Sequence, residues 1–349
     1  MGVTEEMLSP HDNDRPLVTL ALFAYNQERY VREAIDGAFS QTYEPLEIFL
    51  SDDCSSDGTF GIIQAMAASY QGVHRVRVNR TPNNMGTLSH VLHVARQAQG
   101  KLFILAAGDD VSLPDRVQVL VNAWQETGAK ALASSFHRIN ADSQITEKSV
   151  NFSSASNGFE KYFLRSDTKS SLNGASSAVD PVLFDLLPDN DERILYEDIC
   201  VSFLLNRLGH RPKFVDKPLL LYRQHSDAIA HKHNMRPASA VDREVAQERA
   251  LQWRVCLLRY LMMVDDQLVL RYGEAALQPL NRRRIAAELA MAHERMNWSS
   301  KSFAQRLATL PKSAWSLKLL KWKIRRMFGD SPTYEIPLIG RLRRREVGR

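Results

Sequence analysis

Five short apolar runs punctuate the first 140 residues, at 17–23, 46–50, 73–78, 102–107 and 129–136. Their length and aliphatic content predict strands. The stretches between them have a helical period. Residues 28–40 place Val31, Ala34, Ile35, Ala38 and Phe39 at i, i+3, i+4, i+7 and i+8, one face of a helix. A second helix opens at Asp57-Gly58-Thr59 and turns Ile62, Ile63 and Met66 inward; a third, over 87–97, carries Leu88, Val91, Leu92 and Ala95 on one face. Pro114 suits a first helical turn, and Val117, Leu120, Val121 and Trp124 then mark a fourth helix. Arg75 and Arg77 suggest that the third strand is an edge, whereas the uncharged fourth is buried on both faces. This alternation predicts an α/β fold: a Rossmann-like, mostly parallel sheet with helices on both faces. Such sheets bind ligands beyond the carboxyl ends of their strands.

The rhythm then loosens. Residues 137–178 are rich in Ser and Asn and predict loops; 196–208 predict a helix and 213–222 another strand. Past 235 the chain becomes long helical stretches rich in Arg, Ala, Leu and Met. The expected organisation is a flexible leader (1–15), an α/β domain (16–232) and a helical, basic C-terminal region (233–349). No internal repeat is visible.

Composition narrows the class. With 44% hydrophobic and 24% charged residues among 349, the chain is neither disordered, collagen-like nor a coiled-coil rod. The net charge of +5 is unevenly spread: residues 301–349 carry +10 and the remainder about −5. Such a basic tail suits an anionic surface. Cys54, Cys200 and Cys256 are too few and too scattered for a disulfide framework or a zinc cluster, which suits a reducing cytosol. The first 16 residues are polar and acidic, unlike a signal peptide, and no run of about 18 apolar residues could span a bilayer. The expected location is cytoplasmic or peripheral on the cytoplasmic face of the inner membrane.

Two strand ends carry paired acids. The second strand runs into Ser51-Asp52-Asp53-Cys54-Ser55-Ser56-Asp57-Gly58-Thr59, and the fourth into Ala107-Gly108-Asp109-Asp110. Like charges gathered in a crevice require a cation or a donor-rich ligand between them. A hard divalent ion, Mg2+ or Mn2+, takes oxygen ligands and keeps positions open for phosphate, so a metal–diphosphate site is one explanation. Turn and helix-cap chemistry is the other, since Asp52, Asp53 and Asp57 suit both.

At this point the chain resembles a known family. Tyr25-Asn26-Gln27-Glu28, the stretch Gln41-Thr42-Tyr43-Glu44-Pro45-Leu46-Glu47-Ile48, the Asp52–Thr59 run, Asn83-Asn84-Met85-Gly86, Gly108-Asp109-Asp110, Glu197-Asp198 and Tyr222-Arg223-Gln224-His225 together resemble family 2 glycosyltransferases of the GT-A fold, over about residues 16–230. The resemblance implies a nucleotide-diphosphate sugar donor, most commonly a UDP-sugar, and transfer to a hydroxyl of a glycan or lipid-linked acceptor with inversion. Carried over by position, Asp53, with Asp52 beside it, would contact the nucleobase. Tyr25, Asn26, Glu28 and Gly86 would line the nucleotide pocket. Asp109 would bind the metal with Asp110 alongside. His225 would add a ligand or touch the diphosphate, or would be an ordinary loop histidine. The first acid of the DXD-type motif is replaced by Ala107, which removes one carboxylate. Asp198, with Glu197 as neighbour, is the candidate general base, because a poorly nucleophilic hydroxyl must lose its proton during attack. Both acids also suit capping of the helix they begin.

Other classes fit less well. No GxGxxG or GxxxxGK[ST] follows the first strand, against a dehydrogenase or a kinase. The alternative is a non-catalytic or nucleotide-binding GT-A-like protein acting as a scaffold in polysaccharide assembly, for which Ala107 speaks. In the tail, residues 313–328 read as a basic helix with Leu317, Leu320, Ile324, Met327 and Phe328 on one face and Lys318, Lys321 and Arg325 beside them, the composition of a helix lying on an anionic membrane. The expected contact spans 313–349; packing on the protein itself is the alternative, and nucleic acid is not an expected partner.

Overall fold

A computed structural model describes residues 15–150, 172–189, 194–226, 240–298 and 302–308, together with 320 and 323. Its strands are β1 (Val18–Ala24), β2 (Leu46–Asp52), β3 (Arg75–Arg80), β4 (Phe103–Ala107), β5 (Val111–Ser112), β6 (Ala131–Ile139), β7 (Ile145–Val150), β8 (Ser177–Val179) and β9 (Lys213–Arg223). Its α-helices are α1 (Val31–Phe39), α2 (Thr59–Ser69), α3 (Thr87–Ala95), α4 (Arg116–Thr127), α5 (Glu197–Arg207), α6 (Ala240–Tyr272), α7 (Arg282–Met296) and α8 (Phe303–Ala308). The chain divides into two compact units, Met1–Ala286 and Ala287–Arg349, so α6 shares a unit with the sheet. The basic helix expected over 313–328 lies outside the described residues apart from 320 and 323, as do residues 1–14. Among the described residues, no helix is long and apolar enough to cross a membrane.

The sheet runs β3-β2-β1-β4-β8-β6-β9-β5, with β7 paired to β6. Strands β3, β2, β1 and β4 are parallel, as is the β6–β9 pair; β8, β7 and β5 pair antiparallel. Alternation along β1 explains the layers. Val18, Leu20 and Leu22 meet Val31, Ile35, Ile63, Leu120 and Val121 of α1, α2 and α4 in one buried cluster. On the other face Phe23 meets His90 of α3 edge to face, with ring centroids 5.0 Å apart.

Several bounds move. The third strand is an edge but starts at Arg75, and α4 begins at Arg116, two residues past Pro114. The stretch expected to be loop over 137–178 contains β7, a 3-10 turn at Gly174–Ser176 and β8. These strands gave no sequence signal. All but the last residue of β7 is exposed, and β8 has three residues, too few for alternation to register.

Candidate functional site

The two acid turns flank β1. Its end pairs with both neighbours, Ala24 with Asp52 and Phe23 with Ala107, which puts the turns two strand spacings apart, about 10 Å. The β2 turn is tightly internal. Asp52 is fully buried: it accepts from Ser55 N–H at 2.9 Å and from the Ser55 hydroxyl, and faces Arg80 at 3.3 Å. Asp53, also buried, accepts from the Thr81 hydroxyl at 2.9 Å, Met85 N–H at 2.8 Å and Gly86 N–H at 3.0 Å. It thereby fixes the entry to α3. Gly86 sits there at φ 79°, a conformation that costs a side chain dearly.

The loop after β1 interlocks with the same turn. Asn26 donates its N–H to Ser55 Oγ at 2.8 Å and accepts from Ser56 N–H at 2.9 Å. Glu28 donates to Asp57 at 3.2 Å and accepts from Gly58 N–H at 2.7 Å. Asp57 caps α2 by accepting from Thr59 N–H at 3.0 Å; burial works to raise its carboxyl, but the hydrogen bonds from Thr59 and Glu28 leave it below the ordinary value. Tyr25 stands exposed at the rim. These acids therefore serve the turn and the starts of α2 and α3, the structural role that the sequence also allowed.

At the β4 turn the two acids part. Asp109 Oδ2 lies 2.9 Å from His225 Nε2, and the imidazole is almost wholly buried. Asp110 turns inward: Oδ1 accepts the Arg223 N–H at 2.8 Å and Oδ2 is buried without a hydrogen-bond partner. Burial first, then the charge of Asp109, pushes the Asp110 carboxyl well above its usual range.

Glu197 and Asp198 begin α5. Glu197 is buried against Gly174, where any Cβ would collide with its Oε1. Burial, followed by the charge of Asp198, raises the Glu197 carboxyl to about 8. Asp198 Oδ1 accepts Ile199 N–H at 2.8 Å and Oδ2 faces Gly174 N–H at 3.4 Å. Burial thus favours the neutral form of Glu197, while the N-terminus of α5 favours negative charge on the half-buried Asp198. The Tyr222 phenol is held above its usual range first by burial and then by Asp110, Asp109 and Asp198.

Sequence reasoning missed the buried cations behind the site. Arg223 belongs to a run already singled out, yet its partners come from α1 and from the β6–β7 turn, which no local pattern links to it. Arg116 reaches from α4 to the carbonyls of Leu105 at 2.7 Å and Ala175 at 2.8 Å, tying β4 to the loop below Glu197. A buried arginine was legible only as a charge on an apolar helix face. Among the described residues no group of three or more His, Cys, Asp or Glu side chains is arranged to hold a metal ion.

Residues 19–180 match the family model described as glycosyl transferase family 2. The EpsE protein of Bacillus subtilis, provisionally named a glycosyltransferase, is 33% identical over 106 residues, which are 30% of this chain and 37% of EpsE. A hyaluronan synthase of Pasteurella multocida is 28% identical over 143 residues, 41% of this chain and 14% of that protein. The matches therefore span well under two thirds of these relatives. Among solved structures, residues 1–349 of S. aureus TarS in complex with UDP-GlcNAc superpose with a TM-score of 0.50 at 15% identity, covering 89% of this chain and 81% of that one. At that identity the likeness is one of fold, the GT-A arrangement.

Proposed function

We propose, for a chain whose residues 19–180 match the glycosyl transferase family 2 model, that it transfers a sugar from a nucleotide-diphosphate sugar, UDP by the resemblance, to a hydroxyl of a glycan or lipid-linked acceptor with inversion. The observation that carries the reading is geometric: Asp109 lies 2.9 Å from His225 at the β4 turn, and Arg116 ties β4 to Ala175, next to the Gly174 N–H that faces Asp198 at the start of α5.

Within this reading each group has a task. The Tyr25–Glu28 loop and the Asp53–Gly86 junction shape the nucleotide side. Asp109 presents the carboxylate oxygen that Mg2+ or Mn2+ takes alongside phosphate and water, and His225, 2.9 Å away, would add a nitrogen ligand or touch the diphosphate. When bound, the ion supplies Lewis-acid stabilisation of the departing diphosphate. Asp110 stays behind the turn, holding Arg223. Asp198 takes the acceptor proton at Oδ2 as the hydroxyl attacks, and Glu197, kept neutral beside it, leaves it as the ionised member of the pair. The basic tail over 313–349 would hold the enzyme at an anionic membrane on its cytoplasmic face, near a lipid-linked acceptor.

The test is release of UDP from UDP-sugars with acceptor present. Asp198→Asn should lower turnover about 100-fold or more while UDP affinity stays unchanged. Full turnover in that variant would overturn the base assignment, and no turnover by the parent chain with any nucleotide sugar would favour the scaffold.

A further inference from the structure

We propose that Arg223 is a positioning residue that sets the geometry of the Asp109–His225 pair, and that the surface turn at residues 140–143 is its anchor. The inference rests on the reading of that pair as the diphosphate end of the donor site.

Arg223 ends β9 with its side chain fully buried. Its Nε donates to the Asp109 carbonyl at 2.8 Å, and its own N–H holds Asp110 Oδ1 at 2.8 Å, so one residue grips both acids of the turn. The far side of the guanidinium points away from the site. Nη1 donates to Ser143 Oγ at 2.7 Å and to the Asn140 carbonyl at 3.3 Å, and Nη2 pairs with Glu33 of α1. Glu33 also accepts from the Ser143 hydroxyl at 2.7 Å, which closes the anchor into a ring of three side chains.

Tyr30 completes the linkage to His225. Its ring lies 4.8 Å from the Arg223 guanidinium carbon and 4.5 Å from the imidazole centroid. The imidazole therefore packs on a ring that Arg223 itself holds. Burying a guanidinium costs more than burying an apolar side chain of like volume, so packing alone does not explain it. A planar fork with five donors, spent on the acid turn and on a distant anchor together, does explain it. Holding β9 at residue 223 also fixes where residue 225 arrives, because the chain between them has no room to slacken. The surface turn is thereby connected to the reacting end through one rigid side chain.

The test compares UDP-dependent Mn2+ binding, read by electron paramagnetic resonance of free Mn2+, across Arg223→Lys, Arg223→Met and the double variant Glu33→Ala/Ser143→Ala. The double variant cuts one exposed and one half-buried partner and remains informative should Arg223→Met fail to fold. Mn2+ affinity should weaken roughly tenfold or more in the double variant and in Arg223→Met, and Arg223→Lys should recover part of it. In turnover, donor KM should rise while acceptor KM holds. Folded variants that bind Mn2+ and UDP as the parent does, whatever their Tm, would overturn the inference. A parent chain that binds neither would instead overturn the proposed function, and this inference with it.

Discussion

Two neighbouring acids can look alike in sequence and differ in the fold. Asp52 and Asp53 illustrate it: one is spent on Ser55 and Arg80, the other on the entry to α3. The sequence located both at a strand end, because strand periodicity and the acid run are local. It did not reveal their distant partners, because Arg80, Thr81, Met85 and Gly86 arrive from another strand and the loop after it. Glu197 makes a prediction at this scale. Its carboxyl rises from an ordinary 4.5 to about 8, chiefly by burial. Between those values the folded chain keeps a proton that the unfolded chain has released. The stabilisation is therefore full below about 4.5 and is lost as pH rises toward 8. Thermal unfolding should show Tm falling from about pH 5 to about pH 8, and Glu197→Gln should flatten that part of the slope. Equal slopes in the two proteins would mean that Glu197 is ionised in the fold.

Helix α5 carries the Glu197–Asp198 pair, and α6 braces it from end to end. At its start Tyr196 meets Trp253 edge to face at 5.1 Å. At its other end the fully buried Arg207 donates to Asp265 at 2.6 Å and to Glu274 at 2.7 Å. Leu257, Leu258, Leu261, Val264 and Leu268 supply the buried stripe of α6. The sequence pattern showed long helices here but not their attachment, since an ion pair across 58 residues has no local signature. Breaking a buried pair costs about 3–5 kcal/mol, and the low end applies here because Arg282 still pairs with Asp265. Arg207→Met should therefore lower Tm by roughly 10 °C, read by calorimetry. A drop under about 2 °C would show that Asp265 is satisfied without it.

For the whole molecule, charge and topology set the terms. The expected α/β architecture and the elements of the β3-β2-β1-β4 half were legible from alternation, though their order was not, whereas β5, β7 and β8 were too short or too polar to announce themselves. The charge division was equally plain: +10 in residues 301–349 against about −5 elsewhere. If the tail docks on anionic lipid, the full chain should sediment with phosphatidylglycerol vesicles and not with phosphatidylcholine ones, and should be released at 1 M NaCl, where the screening length is about 3 Å. Binding that survives such salt would refute electrostatic docking. The strand order carries one more consequence. From β4 through β8, β6 and β9 to β5, each strand is hydrogen-bonded to the next, and residues 108–110 join the last strand covalently to the first. The acid turn is the clasp of a hoop. A residue inserted there would slip β5 against β9 and turn its side chains to the opposite face.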